Sequence, residues 1–243
     1  LTKAGRKCQA EILGARTPGT VKMWGYVPTP DGVTLLQQPY TPGFAEQAKK
    51  IPVMIGTTFN ELERTMYNDK NLDEARVMEI LQSRYGDQAE AFKEAFYKAY
   101  PDKTDADMLC IDSNMRTLTL ASADAKSDEN EAPVYVYFLD WFSDYDDQGR
   151  GCYHGMDIPF VFNNPDDEGG IIKAGDPKAA ALGEKMSDLW VSFAKTGVPS
   201  AEGVPEWPAY TRENGATMVF DNVFTVKNNY DRELEDILYS VLK

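Results

Sequence analysis

Residues 133–140 read Pro133-Val-Tyr-Val-Tyr-Phe-Leu-Asp140, a continuous run of β-branched and aromatic side chains with no polar alternation. Such a run predicts a strand buried on both faces, the environment of a parallel sheet covered by helices. A second, shorter run, Ile51-Pro-Val-Met-Ile-Gly56, has the same character and is followed at once by Thr57, Thr58, Asn60 and Glu61. Parallel strands need a long crossover between them. The intervening chain supplies one, because residues 71–126 carry apolar positions at helical spacing: Val77, Leu81 and Tyr85, then Phe92, Phe96 and Tyr100, then Met108, Ile111, Met115 and Leu118. These stripes read as helix core in preference to a ligand-binding face.

Beyond the long run comes an acidic loop with Asp144, Asp146, Asp147, Gly149 and Gly151, then Cys152, Tyr153 and His154. Asp176 and Pro177 open a predicted helix with Leu182, Met186, Leu189 and Phe193 on its buried face and Gly197 as its stop. Residues Thr217 to Val226 read as a last strand, and Leu234, Ile237, Leu238 and Val241 as a terminal helix. The order is α/β, a mostly parallel sheet with a helical insertion between its first two strands. Residues 1–50 are rich in proline and glycine and read as an irregular wrapped segment, with residues 51–243 forming the ordered part.

Hydrophobic side chains make up 42% of the 243 residues and charged ones 26%, the balance of a folded globular chain. The net charge of −14 repels phosphate, which argues against nucleic acid and anionic membrane surfaces as partners. No stretch approaches the roughly 18 apolar residues of a membrane span. Leu1-Thr2-Lys3 is neither a start methionine nor a signal peptide, so the chain is expected either to have lost a leader or to begin inside a longer one. Three scattered cysteines, Cys8, Cys110 and Cys152, do not make a disulfide framework.

The chemistry-bearing positions lie after the two strands, where functional groups of open α/β sheets collect. His154 is the only histidine, a side chain that titrates near neutrality, although a lone histidine is as readily structural. Glu61 follows the other strand and reads equally as the opening of a helix; Glu63 competes with it for any functional role. Taken together they are a carboxylate followed 93 residues later by a histidine, the second half of a Ser…Glu…His chain order. In such a triad the histidine accepts the serine proton, and the carboxylate holds the tautomer and stabilises the imidazolium. Cys152-x-His154 does not amount to a zinc site, which needs three or four ligands, and Asp144, Asp146 and Asp147 lack the spacing of a calcium loop.

Four stretches carry a resemblance to a known family: Ile51 to Glu61, His154-Gly-Met-Asp-Ile-Pro-Phe-Val-Phe162, Trp190-Val-Ser-Phe-Ala-Lys-Thr-Gly-Val-Pro199, and Trp207-Pro-Ala-Tyr210. In this order and spacing the chain resembles the C-terminal part of a type-B carboxylesterase, the α/β-hydrolase group that includes para-nitrobenzyl esterases and cholinesterases. The resemblance implies a serine-type carboxylic ester hydrolase with Glu61 as triad acid and His154 as base, a small-molecule ester substrate and no cofactor or metal. It also implies an exported, periplasmic or secreted setting. The family usually places glycine after this glutamate, where Leu62 stands here. Neither a Gly-x-Ser-x-Gly elbow nor a His-Gly-Gly-Gly oxyanion motif occurs in the chain. The expectation is therefore a C-terminal piece that lacks the nucleophile, is inactive alone, tends to associate, and has the missing N-terminal half as its partner. Some members of the same fold family have lost the serine and act as binding or adhesion proteins, and that alternative stays open. Met66, Tyr67, Phe160 and Phe162 lie near the two loops as possible pocket-lining residues.

Overall fold

The computed structural model describes residues 30–38, 43–63, 72–146, 151–167 and 172–242. Most of the Pro/Gly-rich opening, and with it Cys8, lies outside them, as do Met66, Tyr67, Asp147 and Gly149. A short helix α1 (Glu46–Lys49) precedes β1 (Val53–Thr58). Helices α2 (Glu74–Tyr85), α3 (Ala89–Ala99), α4 (Asp105–Leu109) and α5 (Met115–Asp128) then lead to β2 (Val134–Leu139). After it come the one-turn α6 (Ile158–Val161), the long α7 (Pro177–Thr196), β3 (Ala216–Phe220), β4 (Thr225–Asn228) and α8 (Arg232–Leu242).

The four strands form one sheet in the order β1-β2-β3-β4. β1 and β2 are parallel, with Val53 opposite Val134 and Thr58 opposite Leu139. β2 and β3 are also parallel, and β3 and β4 antiparallel. All six residues of β2 are buried, the outcome its unbroken apolar run requires. On one face Val134 and Val136 pack with Leu120 and Ala123 of α5. On the other, Tyr135 meets Phe193 of α7 edge to face at 6.1 Å and Tyr137 meets Trp190 at 5.1 Å. The sheet is thus a middle layer between helices, which places the loops after β1 and β2 together at one rim.

Three local expectations are corrected. The strand after residue 51 does not end at Gly56 but runs on to Thr58, because the Tyr137 ring covers the space a side chain would take. The stripe Met108 to Leu118 is not one helix: α4 stops at Leu109, and Asp112 accepts backbone N–H bonds from Met115 and Arg116 to start α5 afresh. Its buried face then carries Arg116, Thr117, Leu120 and Ala123 in place of Met115 and Leu118. Residues 217–226 are a hairpin of two strands, turning through Asp221 to Phe224.

Candidate active site

Glu61 lies just past the end of β1 and His154 on the loop that follows β2. The two loops pair as a short parallel bridge between Glu61 and Tyr153, with the His154 N–H donating to the Glu61 carbonyl at 2.9 Å. This backbone register brings the two side chains together: the His154 imidazole bonds the Glu61 carboxylate through Nδ1 to Oε2. The other oxygen, Oε1, accepts the Thr58 N–H at 2.8 Å, and the Glu61 N–H donates to Thr58 Oγ1 at 3.2 Å. Glu61 is held at φ 45°, in the left-handed region that non-glycine residues visit at a cost of about 1–2 kcal/mol. The tight turn thus falls on the glutamate itself, so Leu62 does not need to be glycine.

A carboxylate in its ionised form only accepts hydrogen bonds, so against it a neutral imidazole carries its proton on Nδ1 and keeps the Nε2 lone pair. The Glu61 side chain is 6% exposed and that of His154 58%. Among the described residues no other hydrogen bond reaches the ring, which leaves Nε2 available to a further group. Glu63 is turned elsewhere: it accepts from Ser113 Oγ at 3.0 Å, while the imidazole bonds Glu61.

Residues that sequence patterns did not single out hold this pair. The Asn60 side chain accepts the Cys152 N–H at 2.8 Å and donates to the Cys110 carbonyl at 2.9 Å. Tyr137 on β2 donates to Asp157 at 2.8 Å, tying the stretch after His154 to the sheet. Behind Glu61, Asp112 donates its N–H to the Phe59 carbonyl at 2.9 Å. Burial pushes the Asp112 carboxyl up to about 6, and the nearby Glu61 charge adds to that.

Cys152 is buried where His154 is exposed. Its thiol is fully buried and donates to the Leu139 carbonyl at 3.1 Å, and burial drives its pKa upward. Adjacent positions of an extended segment face opposite sides and alternate ones the same side only if the chain stays flat, which the turn at 154 prevents. Among the described residues no group of three or more His, Cys, Asp or Glu side chains is placed to hold a metal. Asp144 pairs with Lys178 at 2.6 Å and Asp146 accepts the Gly151 N–H at 2.6 Å. No helix of the described residues is long and apolar enough to cross a membrane. Phe160 is core, packed edge to face on Trp141 at 5.2 Å, whereas Phe162 is 74% exposed.

A carboxylate and a histidine, each just beyond a parallel strand, thus meet at one rim of the sheet. The family model for the carboxylesterase family matches residues 4–237, and the chain belongs to that family. It is 28% identical over 221 residues to a para-nitrobenzyl esterase of Bacillus subtilis, covering 88% of this chain and 43% of that protein. A fumonisin B1 esterase of Sphingopyxis macrogoltabida is 34% identical over 195 residues, 73% of this chain and 34% of the relative. Among solved structures, an esterase from Clostridium hathewayi described as hydrolysing aliphatic aromatic polyesters superposes with a TM-score of 0.78 at 29% identity, over 98% of this chain and 46% of that one. A para-nitrobenzyl esterase structure superposes at 0.63 with 28% identity. The chain thus spans less than half the length of these relatives, and its fold is part of an α/β-hydrolase.

Proposed function

We propose that this chain supplies the acid and the base of a Ser-Glu-His carboxylic ester hydrolase. The observation that supports the reading is the bond from His154 Nδ1 to the buried Glu61 carboxylate, with the rest of the ring open. In the reaction, a serine hydroxyl from the portion of the relatives' length that this chain does not span attacks the ester carbonyl. His154 Nε2 takes the hydroxyl proton and returns it to the leaving alcohol. Glu61 keeps the ring in the Nδ1–H tautomer and stabilises the imidazolium that forms. Water, activated by the same nitrogen, then cleaves the acyl-enzyme. No step needs a metal or cofactor. The relatives' printed names point to esters of aromatic alcohols and acids as a substrate class.

The test is kinetic. In the ester hydrolase that carries this chain, His154→Ala is expected to lower kcat for a p-nitrophenyl ester about ten-thousand-fold or more. Glu61→Ala should also fall by orders of magnitude, and Glu63→Ala should stay close to wild type. The chain by itself is expected to show no turnover. Turnover by the isolated chain, or a His154→Ala enzyme with near-normal kcat, removes the assignment.

A further inference from the structure

Glu61 and His154 sit on separate loops, yet a triad tolerates only about half an ångström of misplacement between its members. The backbone bridge between Glu61 and Tyr153 sets their register. Something must also fix both loops to the body of the fold, because Glu61 occupies a strained left-handed conformation that relaxes unless its surroundings over-determine it.

The geometry points to Asn60 as that device, and we propose that it is a positioning residue for the acid–base pair. The proposal rests on the reading of Glu61 and His154 as acid and base. Asn60 is buried and uses both ends of its amide. Oδ1 accepts the Cys152 N–H at 2.8 Å, two residues before His154. Nδ2 donates to the Cys110 carbonyl at 2.9 Å, in the turn between α4 and α5. The Asn60 N–H itself donates to the Cys152 carbonyl at 3.0 Å. One side chain therefore joins the loop after β1, the loop after β2 and the helical layer. The amide is suited to this because it offers a donor and an acceptor at a fixed separation.

Gly151 supplies independent support. It takes φ +59°, and a Cβ built there would lie 2.4 Å from Asn60 Oδ1 and 3.2 Å from its Cγ. The loop before His154 is therefore shaped around the Asn60 amide, with no room for a side chain between them. Asn60 works through the pair: released from it, the 151–154 loop drifts, the Nδ1 to carboxylate bond lengthens, and the ring loses its imposed tautomer.

His154 is the only histidine of the chain, so its ring nitrogens report the pair without any active enzyme. Nitrogen-15 NMR of the labelled chain at a pH where the imidazole is neutral distinguishes Nδ1–H from Nε2–H. Wild type is expected to be almost wholly Nδ1–H. Asn60→Ala and Gly151→Ala should each move the ring to mainly Nε2–H, the form a solvated imidazole prefers. Thr117→Val, which removes a comparably buried hydrogen bond elsewhere, should leave the ring unchanged in a chain whose amide spectrum shows it folded. A ring that stays Nδ1–H in both Asn60→Ala and Gly151→Ala overturns the proposal, as does a Thr117→Val chain that switches tautomer as they do. Glu61→Ala separates the two readings: if it fails to switch the ring, the acid–base pair itself is wrong. If it switches the ring and the Asn60 and Gly151 variants do not, only the role of Asn60 falls.

Discussion

The site depends on a few residues whose backbone does what their type disfavours. Gly56 looks in the sequence like the end of a strand, because glycine weakens strand interiors. It lies in the middle of β1 instead, opposite Tyr137, and a Cβ there would come within 2.3 Å of the Tyr137 ring and 2.4 Å of its carbonyl oxygen. Tyr137 in turn anchors Asp157 beyond His154, so the glycine lets β2 hold both loops close. Gly56→Ala is expected to destabilise by about 1–3 kcal/mol, as overpacked cores do, and to loosen the Tyr137 bond to Asp157. Urea unfolding reads the loss; a change under about 0.5 kcal/mol would show that the ring yields without cost. At this scale the candidate pair was legible because a carboxylate and a lone histidine stood just beyond strong strand signals. Asn60 was not, since its partners lie 50 and 92 residues away and nothing in its neighbourhood marks it as more than a loop amide.

Helices and strands were legible in proportion to how far local chemistry decided them. α7 runs from Asp176, whose side chain accepts the Lys178 N–H at 2.9 Å, to the left-handed Gly197, as its termini announced. The third stripe failed because Asp112 restarts the helix and turns a polar face inward. That face joins α5 to α8 through Arg116, which donates to Asp231 at 2.7 Å, and Thr117, which donates to Glu235 at 2.6 Å. One buried cation here faces the carboxyls of Asp231 and Glu235. Burial and the Asp231 charge outweigh Arg116 and the Thr117 hydroxyl and raise Glu235 from 4.5 to about 8. A carboxyl whose folded pKa is raised stabilises most below its unfolded value, and that contribution is lost as pH climbs from about 4.5 toward 8. Asp112, raised to about 6, acts in the same direction over a lower window. Glu235→Gln keeps an acceptor for Thr117 and removes the ionisation. It should match wild type near pH 5 and exceed it at pH 8 by at least about 1.4 kcal/mol, one pKa unit's worth. Urea midpoints measured from pH 5 to 9 check this, and parallel curves for the two proteins would refute it.

The whole sheet is asymmetric in how it ends. β4 closes one side with four residues, Thr225 and Asn228 exposed and Lys227 half-buried between them, the short charged edge that discourages further pairing. β1 closes the other side with six residues, none of them charged, and Val53 and Ile55 only partly covered by the cluster under α5. Among the described residues no strand pairs with its outer edge. The sequence announced β1 and β2 but not which strand would be terminal, because strand order is set by partners far apart in the chain. An uncharged parallel edge of this length is a template for another strand, and the relatives are more than twice as long as the stretch matched here. Taken alone, the chain is therefore expected to associate with itself through β1, so that its sedimentation coefficient rises with concentration. Val53→Lys, a charge at the partly covered start of that edge, should weaken the association several-fold while leaving the His154 tautomer unchanged. A wild-type chain that stays monomeric at every concentration, or a Val53→Lys chain that associates as strongly, would rule β1 out as the contact.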